Sequence, residues 1–180
     1  MASSVDAQMA EQGIPKAEVV EDVADYLKSK NQSLEDAQRF IEDRYHKYKT
    51  VENSMNERRA RLVSNLPDFN RALEHIKLCR EAKIKGKDSL TTLSKLEENS
   101  YQRFRITNLD KVTLLLGCNT FAEFTLDEAE KLLTDNVSGI ERVLGQLRSE
   151  LDWLRDQITT SEVSIAHLHN YNIRQKSEKS

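Results

Sequence analysis

Apolar positions recur every seven residues through two long stretches of the chain, and this period predicts two long helices that pack on one another. In the later stretch, 126–173, one row holds Val137, Leu144, Leu151, Ile158 and Ile165. The other holds Leu133, Ile140, Leu147, Leu154, Ser161 and Leu168. Every seam position from 133 to 158 is apolar, which is the pattern of a left-handed coiled coil. Thr125 to Glu128 reads T-x-x-E, a capping box that makes Thr125 the N-cap. The earlier stretch, 33–85, has a weaker seam. Its good row is Leu34, Ile41, Tyr48, Met55, Leu62, Phe69, Ile76 and Lys83, and its other row (Gln38, Tyr45, Glu52, Arg59, Leu66, Leu73, Arg80) is mostly polar. Ser33, with Asp36 three residues on, is placed to cap it. Pro67 removes one helical hydrogen bond, but the good row passes it without a change of phase, so a kink is expected rather than a break. The seam residues expected to carry the packing are Ile41, Tyr48, Leu62 and Phe69 facing Ile140, Leu147, Leu151, Leu154 and Ile158.

Between the two helices, over 86–125, the period changes. Gly86 closes the first helix. TTLSKL–EEN–SYQRFRI and VTLLL–GCNT–FAEFTL each read as two short strands around a turn, with Asn108 and Asp110 between them. The predicted fold class is therefore mainly α: a long antiparallel two-helix coiled coil joined by two β-hairpins. Four short strands cannot enclose a core, and an isolated hairpin is marginal in water. Both long helices point away from it, so nothing else in the chain is expected to cover its edges and apolar faces. Strands from other chains must complete it. The side chains expected at that oligomerisation surface are Tyr101, Phe104, Ile106, Val112, Leu114, Leu116, Phe121 and Phe124.

The ends carry less pattern. Residues 1–13 are small and polar, which predicts a disordered N-terminus without the apolar segment of a secretory signal. Residues 14–32 carry an apolar stripe (Ile14, Val19, Val20, Val23, Tyr26, Leu27) behind Pro15, predicting a short amphipathic helix within 16–29 and then a break. Residues 174–180 read as a disordered polar tail. Phe40, Trp153, Val163, Tyr171 and Ile173 are apolar but lie off the seam. Exposed apolar surface marks contact sites, so Val20, Val23, Tyr26, Leu27, Phe40, Val163, Leu168, Tyr171 and Ile173 are candidates for gripping another protein at the coiled-coil tip. The competing reading folds the short helix over them as a tip core, and on the sequence both stay open.

Composition narrows the function class. The 180 residues are 38% hydrophobic and 32% charged, with five Gly and two Pro. So few chain breakers argue against a sandwich, a dinucleotide-binding domain or a loop-rich enzyme. A net charge of −3 gives no general pull toward nucleic acid or a membrane surface. No apolar run is long enough to span a membrane. Cys79 and Cys118 stand apart, which suits a reducing compartment. His75 and Cys79 share a helix face but lack a third metal ligand, and His167 and His169 point to different faces. Cys118 has no base placed to activate it. Arg58, Arg59 and Arg61 mix with Glu52 and Glu57 as surface ion pairs. No catalytic residue, metal or cofactor is expected, and the chain does not read as an enzyme.

GIPKAEVVEDV (13–23), KVTLLLG (111–117), the DEA opening the last helix (127–129) and LDWLRDQITTSEV (151–163), set in the order helix, two hairpins, helix, resemble the alpha-class subunits of the prefoldin family. The resemblance implies a heterohexamer of two alpha-class and four beta-class subunits whose hairpins assemble an intermolecular β-barrel. It implies tips that hold unfolded actin and tubulin without ATP and pass them to the cytosolic chaperonin. It places the chain in the cytoplasm, with the nucleus left open. The alternative is a coiled-coil scaffold or tether that organises a complex without binding unfolded clients.

Overall fold

The computed structural model describes residues 2–178. Its elements are α1 (Ala2–Glu11), α2 (Val23–Lys30), α3 (Leu34–Ile84), β1 (Leu90–Glu97), β2 (Ser100–Ile106), β3 (Lys111–Gly117), β4 (Thr120–Thr125) and α4 (Leu126–Glu178). The chain divides into two compact units. Unit 1 runs up to Arg61 and resumes at Val143, and unit 2 is Leu62–Arg142.

The long helices begin and end where local chemistry stops them. At the start of α3 the Asp36 amide donates to Ser33 Oγ at 3.1 Å, and that hydroxyl donates to the Asp36 carboxylate at 2.7 Å. Past its end Gly86 adopts φ +65°, and the Gly86 and Lys87 amides return to the carbonyls of Lys83 and Ala82, both at 2.9 Å. A side chain at that left-handed position would be strained, so glycine is the fitting stop. Pro67 lies within α3, which continues through it. α4 opens on a full capping box: the Glu128 amide donates to Thr125 Oγ1 at 3.3 Å, and the Thr125 amide donates back to Glu128 Oε2 at 3.0 Å. The Thr125 amide, and then the Thr125 hydroxyl donating at 2.8 Å, hold the Glu128 carboxyl below its ordinary pKa.

In unit 2 each hairpin is a separate two-stranded antiparallel sheet. β1 pairs with β2 from Leu90–Ile106 to Glu97–Ser100, and β3 pairs with β4 from Lys111–Thr125 to Gly117–Thr120. The second turn sets Cys118 at φ +48° and Asn119 at φ +59°, the two left-handed residues of a turn that matches strand twist. The inner hairpin faces are not bare. Ile76, Cys79 and Ala82 of α3 pack with Leu126, Ala129 and Leu133 of α4 and with Leu109, and Leu90, Ile106, Val112, Leu114 and Phe124 pack against them. This corrects the expectation that the chain leaves the hairpins wholly uncovered. The end of α3 and the start of α4 flank the insert and supply one wall. What stays open is the outer faces and the strand edges.

In unit 1 the helices also run antiparallel, Ile41 meeting Leu168 while Tyr48 meets Leu154 and Ile158. Three expectations about the ends are corrected here. Residues 2–11, read as disordered, form α1, whose Met9 is fully buried against Tyr48, Trp153, Leu154 and Ile158. A weakly apolar segment is ordered because both of its larger apolar side chains have a seat, Met9 inside this core and Val5 packed against it. Residues 14–22 are not helical, and the short helix starts only at Val23, with Asp22 as its N-cap. Pro15 is a stop rather than a start: Gly13 at φ +79° ends α1, with the Gly13 amide on Ala10 O at 3.0 Å and the Ile14 amide on Met9 O at 2.9 Å. Proline just beyond such a cap blocks continuation of the helix. Residues 174–178, read as tail, continue α4, while 179–180 lie outside the described residues.

Candidate functional site

Two surfaces stand out, one in each unit. In unit 2, strand alternation sorts the hairpin side chains. Ile106, Val112, Leu114 and Phe124 face the helices and are half-buried. Leu116 and Phe104, on the same faces but farther along, are exposed. Leu115 and Phe121 pair across β3 and β4 on the outer face, 60% and 64% exposed, and Tyr101, opposite Lys95, is exposed on the outer face of its own hairpin. The residues expected at an assembly surface thus split into an inner set that belongs to this chain's own core and an outer set that is free.

In unit 1 the chain from Gly13 to Asp22, here called the strap, lies extended along α4. Ala17, Val20 and Val23 are buried at three-residue spacing, and Val20 and Val23 join Ile41 and Leu168 in one core. The helices meet the strap's main chain with side chains. The Ala17 amide donates to Gln157 Oε1 at 2.9 Å, the Val20 amide donates to Ser164 Oγ at 3.2 Å, and Ser164 Oγ donates to Glu18 O at 3.2 Å. His167 Nδ1 lies 2.6 Å from Val20 O and so must carry the proton there. From α3, the Tyr48 hydroxyl donates to Pro15 O at 2.8 Å. Toward α1, Gln8 donates to Glu150 at 3.1 Å and the Trp153 indole N–H donates to Asp6.

Glu18 ties the strap to its surroundings. It accepts from the Tyr26 hydroxyl at 2.7 Å, pairs with Lys30 at 3.1 Å and pairs with Arg44 at 3.5 Å. Burial alone would raise its pKa, but these partners outweigh it and hold the carboxyl below the ordinary 4.5. Burial, and then the same carboxylate, push Tyr26 up to about 12. Because the folded pKa of Glu18 is depressed, its contribution to docking is fully present above pH 4.5 and is lost as the pH falls through the lowered value. Hydrogen exchange at Ala17 and Val20, corrected for intrinsic rates, should therefore speed up on acidification below that point. Glu18→Gln should abolish this step.

The candidate grip residues divide in the same way. Val20, Val23 and Leu168 are buried, Tyr26, Leu27 and Tyr171 pack against them, and Trp153 is buried beneath α1. As placed, Val20, Val23 and Leu168 are core and present no surface. Phe40, Val163 and Ile173 remain exposed, with Arg44 stacked 4.4 Å over the Phe40 ring. Along the seam Ile41, Tyr48, Leu147, Leu151, Leu154 and Ile158 are buried, and Leu62, Phe69 and Ile140 are half-buried. Sequence reasoning missed the polar row beside the seam. Glu150, Gln157 and Ser164 recur every seven residues, are all buried, and each meets the N-terminal segment. Trp153 at a nominally wet position was the signal that something covers that face.

Among the described residues no group of three or more His, Cys, Asp or Glu could hold a metal, and no helix is long and apolar enough to cross a membrane. Cys79 sits in the unit 2 core with its thiol pKa raised by burial, whereas Cys118 is exposed at the turn.

A family model for the prefoldin subunit matches residues 48–171. The probable prefoldin subunit 3 of Caenorhabditis elegans is 34% identical over 176 residues, covering 98% of this chain and 94% of that protein. Prefoldin subunit 3 of Homo sapiens is 34% identical over 167 residues, covering 92% and 84%. Among solved structures, a chain of the filamentous PFD from Methanocaldococcus jannaschii superposes with a TM-score of 0.50 at 18% identity, covering 63% of this chain and 91% of that one. At that identity the likeness concerns the fold alone, and the fold in question is long helices with two small hairpins between them. With an unbroken family match over most of its length and full-length relatives of one kind, the chain belongs to the prefoldin family.

Proposed function

We propose that this prefoldin subunit enters a heterohexamer of two alpha-class and four beta-class subunits through its hairpins. On this reading it captures unfolded chains, actin and tubulin among them, on the apolar surface of unit 1. It then delivers them to the cytosolic chaperonin in the cytoplasm without ATP. The prefoldin family is one of chaperone-complex subunits rather than of enzymes. The observation that carries the client reading is apolar surface left outside the cores of unit 1: Val163 and Ile173 on α4 are about half exposed, and Phe40 on α3 is about a third exposed beneath Arg44. One such patch, at most a few hundred Å², holds a chain weakly. Several acting on the same chain raise the effective affinity by ~10²–10⁴. For assembly, the supporting feature is the free outer hairpin surface at Leu115, Phe121 and Tyr101.

The test is suppression of aggregation of chemically unfolded actin by the reconstituted complex. Val163→Asp with Ile173→Asp should weaken suppression severalfold while native mass spectrometry finds the hexamer unchanged. Undiminished suppression would place the client surface elsewhere. A wild-type complex that suppresses nothing would leave a tether that organises partners.

A further inference from the structure

We propose that the groove along α4 at Gln157, Ser164 and His167 is a binding site for an extended polypeptide segment, and that the strap fills it in cis as a displaceable self-ligand. The bonds that hold the strap reach mainly its backbone: two amides and two carbonyls are met by three α4 side chains, and a third carbonyl by Tyr48. Main-chain readout holds any extended segment in register, and pockets for alternating side chains then select among sequences. Here the pockets take Ala17 and Val20 of the strap and Val23 at the start of α2, small or β-branched residues at three-residue spacing, while Val19, Glu21 and Asp22 between them face water.

The helices are built for an occupant. Gln157 and Ser164 are 5% and 1% exposed. The strap itself covers them, and with it in place Gln157 Oε1 and Ser164 Oγ are matched by main-chain groups, while Gln157 Nε2 is held by Trp153 O of its own helix. Because these contacts are to main-chain atoms, they favour an extended occupant but not this one in particular. The strap is held by no covalent bond other than the chain itself. Its charged clamp at Glu18 lies near the surface, where such pairs contribute little. Beside it an open groove of about 550 Å³, lined by Val19, Thr160, Val163 and His167, gives an incoming chain room to start the exchange. The ligand class is an unfolded segment with a small or β-branched apolar residue every third position and carboxylates between. This deepens the client reading above and rests on it only for the origin of the competing segment.

The experiment uses the full chain and a fluorescent peptide of sequence GIPKAEVVEDV, followed by anisotropy. Ala17→Asp with Val20→Asp in the chain weakens the strap and leaves the groove intact, so the peptide should bind at least tenfold tighter than to wild type. A peptide carrying Asp at its Ala and second Val positions should not bind. No saturable binding to the variant, or equal affinity for both chains, would overturn the proposal. A second variant, Val19→Cys with Thr160→Cys in a Cys118→Ser background, ties the strap to α4 through two residues that line the adjoining groove and make none of the main-chain bonds between them, and it compares one polypeptide with itself. Oxidation should eliminate peptide binding and reduction should restore it, and equal binding in the two states would also overturn the proposal. The peptide readout is independent of client capture. A complex that binds the peptide as stated but fails to hold unfolded actin would count against the client reading alone.

Discussion

Replacing Leu115 and Phe121 together by Asp is expected to expel the subunit from its complex while leaving its own helices folded. The two side chains face each other across β3 and β4 on the outer side of the hairpin, and each is more than half exposed. In the isolated chain an aspartate there meets water and costs little. In an assembly that adds strands or apolar surface to the hairpins, the same change forfeits roughly 1.5–3 kcal/mol of burial per side chain. It also confines an unpaired carboxylate, whose desolvation costs several kcal/mol more. A sum of that size is at least a thousandfold in affinity, at about 1.4 kcal/mol per decade. Native mass spectrometry should therefore find hexamers lacking the subunit, with its far-ultraviolet circular dichroism unchanged. Leu114→Asp, one residue away, is the contrast. Leu114 packs inward on the core formed by Ile76, Cys79 and Leu133, so its replacement should lower the thermal midpoint of the chain itself as well. If Leu115→Asp/Phe121→Asp co-assembles at full occupancy, the hairpin outer face is not the assembly surface.

That contrast marks how far the sequence could be read. The seam of α4 and the T-x-x-E box at Thr125 are local signals with a fixed period or spacing, and the helix and its cap follow from them directly. The hairpins are legible for the same reason. Whether Leu114 or Leu115 faces the chain's own core is not, because alternation sorts residues into two faces without saying which face has a neighbour. The N-terminal region was the harder case. Gly13-Ile14-Pro15 fits a helix start and a helix stop almost equally well, and only the return of the Ile14 amide to Met9 O decides it. The Val20, Val23 and Leu168 set shows a second limit. An apolar stripe records that something covers it, and an intramolecular strap meets that need as well as a foreign chain does. The buried row Glu150, Gln157 and Ser164 looks like an ordinary wet helix face until the strap's amides are laid against it.

Tyr48→Ala is expected to have the largest effect on unit 1 of any single truncation, and the loss should appear first in the strap. Tyr48 is 1% exposed and sits where three elements meet: Met9 comes from α1, Ala17 from the strap, and Trp153, Leu154 and Ile158 from α4. Truncating a buried aromatic to Ala costs about 3–5 kcal/mol, a large part of the roughly 5–15 kcal/mol that keeps a domain folded. The hydroxyl can be separated from the ring. Burial raises the Tyr48 pKa, so the phenol stays protonated and keeps donating to Pro15 O. Tyr48→Phe removes only that donor and should cost about 1 kcal/mol. Because Met9 and Ala17 form part of the cavity wall, the cheapest relaxation is for the N-terminal segment to lift away, which is a local opening rather than global unfolding. If about 3 kcal/mol falls on that step, exchange of the Ala17 and Val20 amides accelerates on the order of a hundredfold. Trypsin cleavage after the exposed Lys16 should accelerate with it, while the amides of β3 and β4 in unit 2 keep their wild-type rates. A uniform loss of protection through both units would mean that the strap has no opening of its own and is as firmly part of the fold as the helices it lies on.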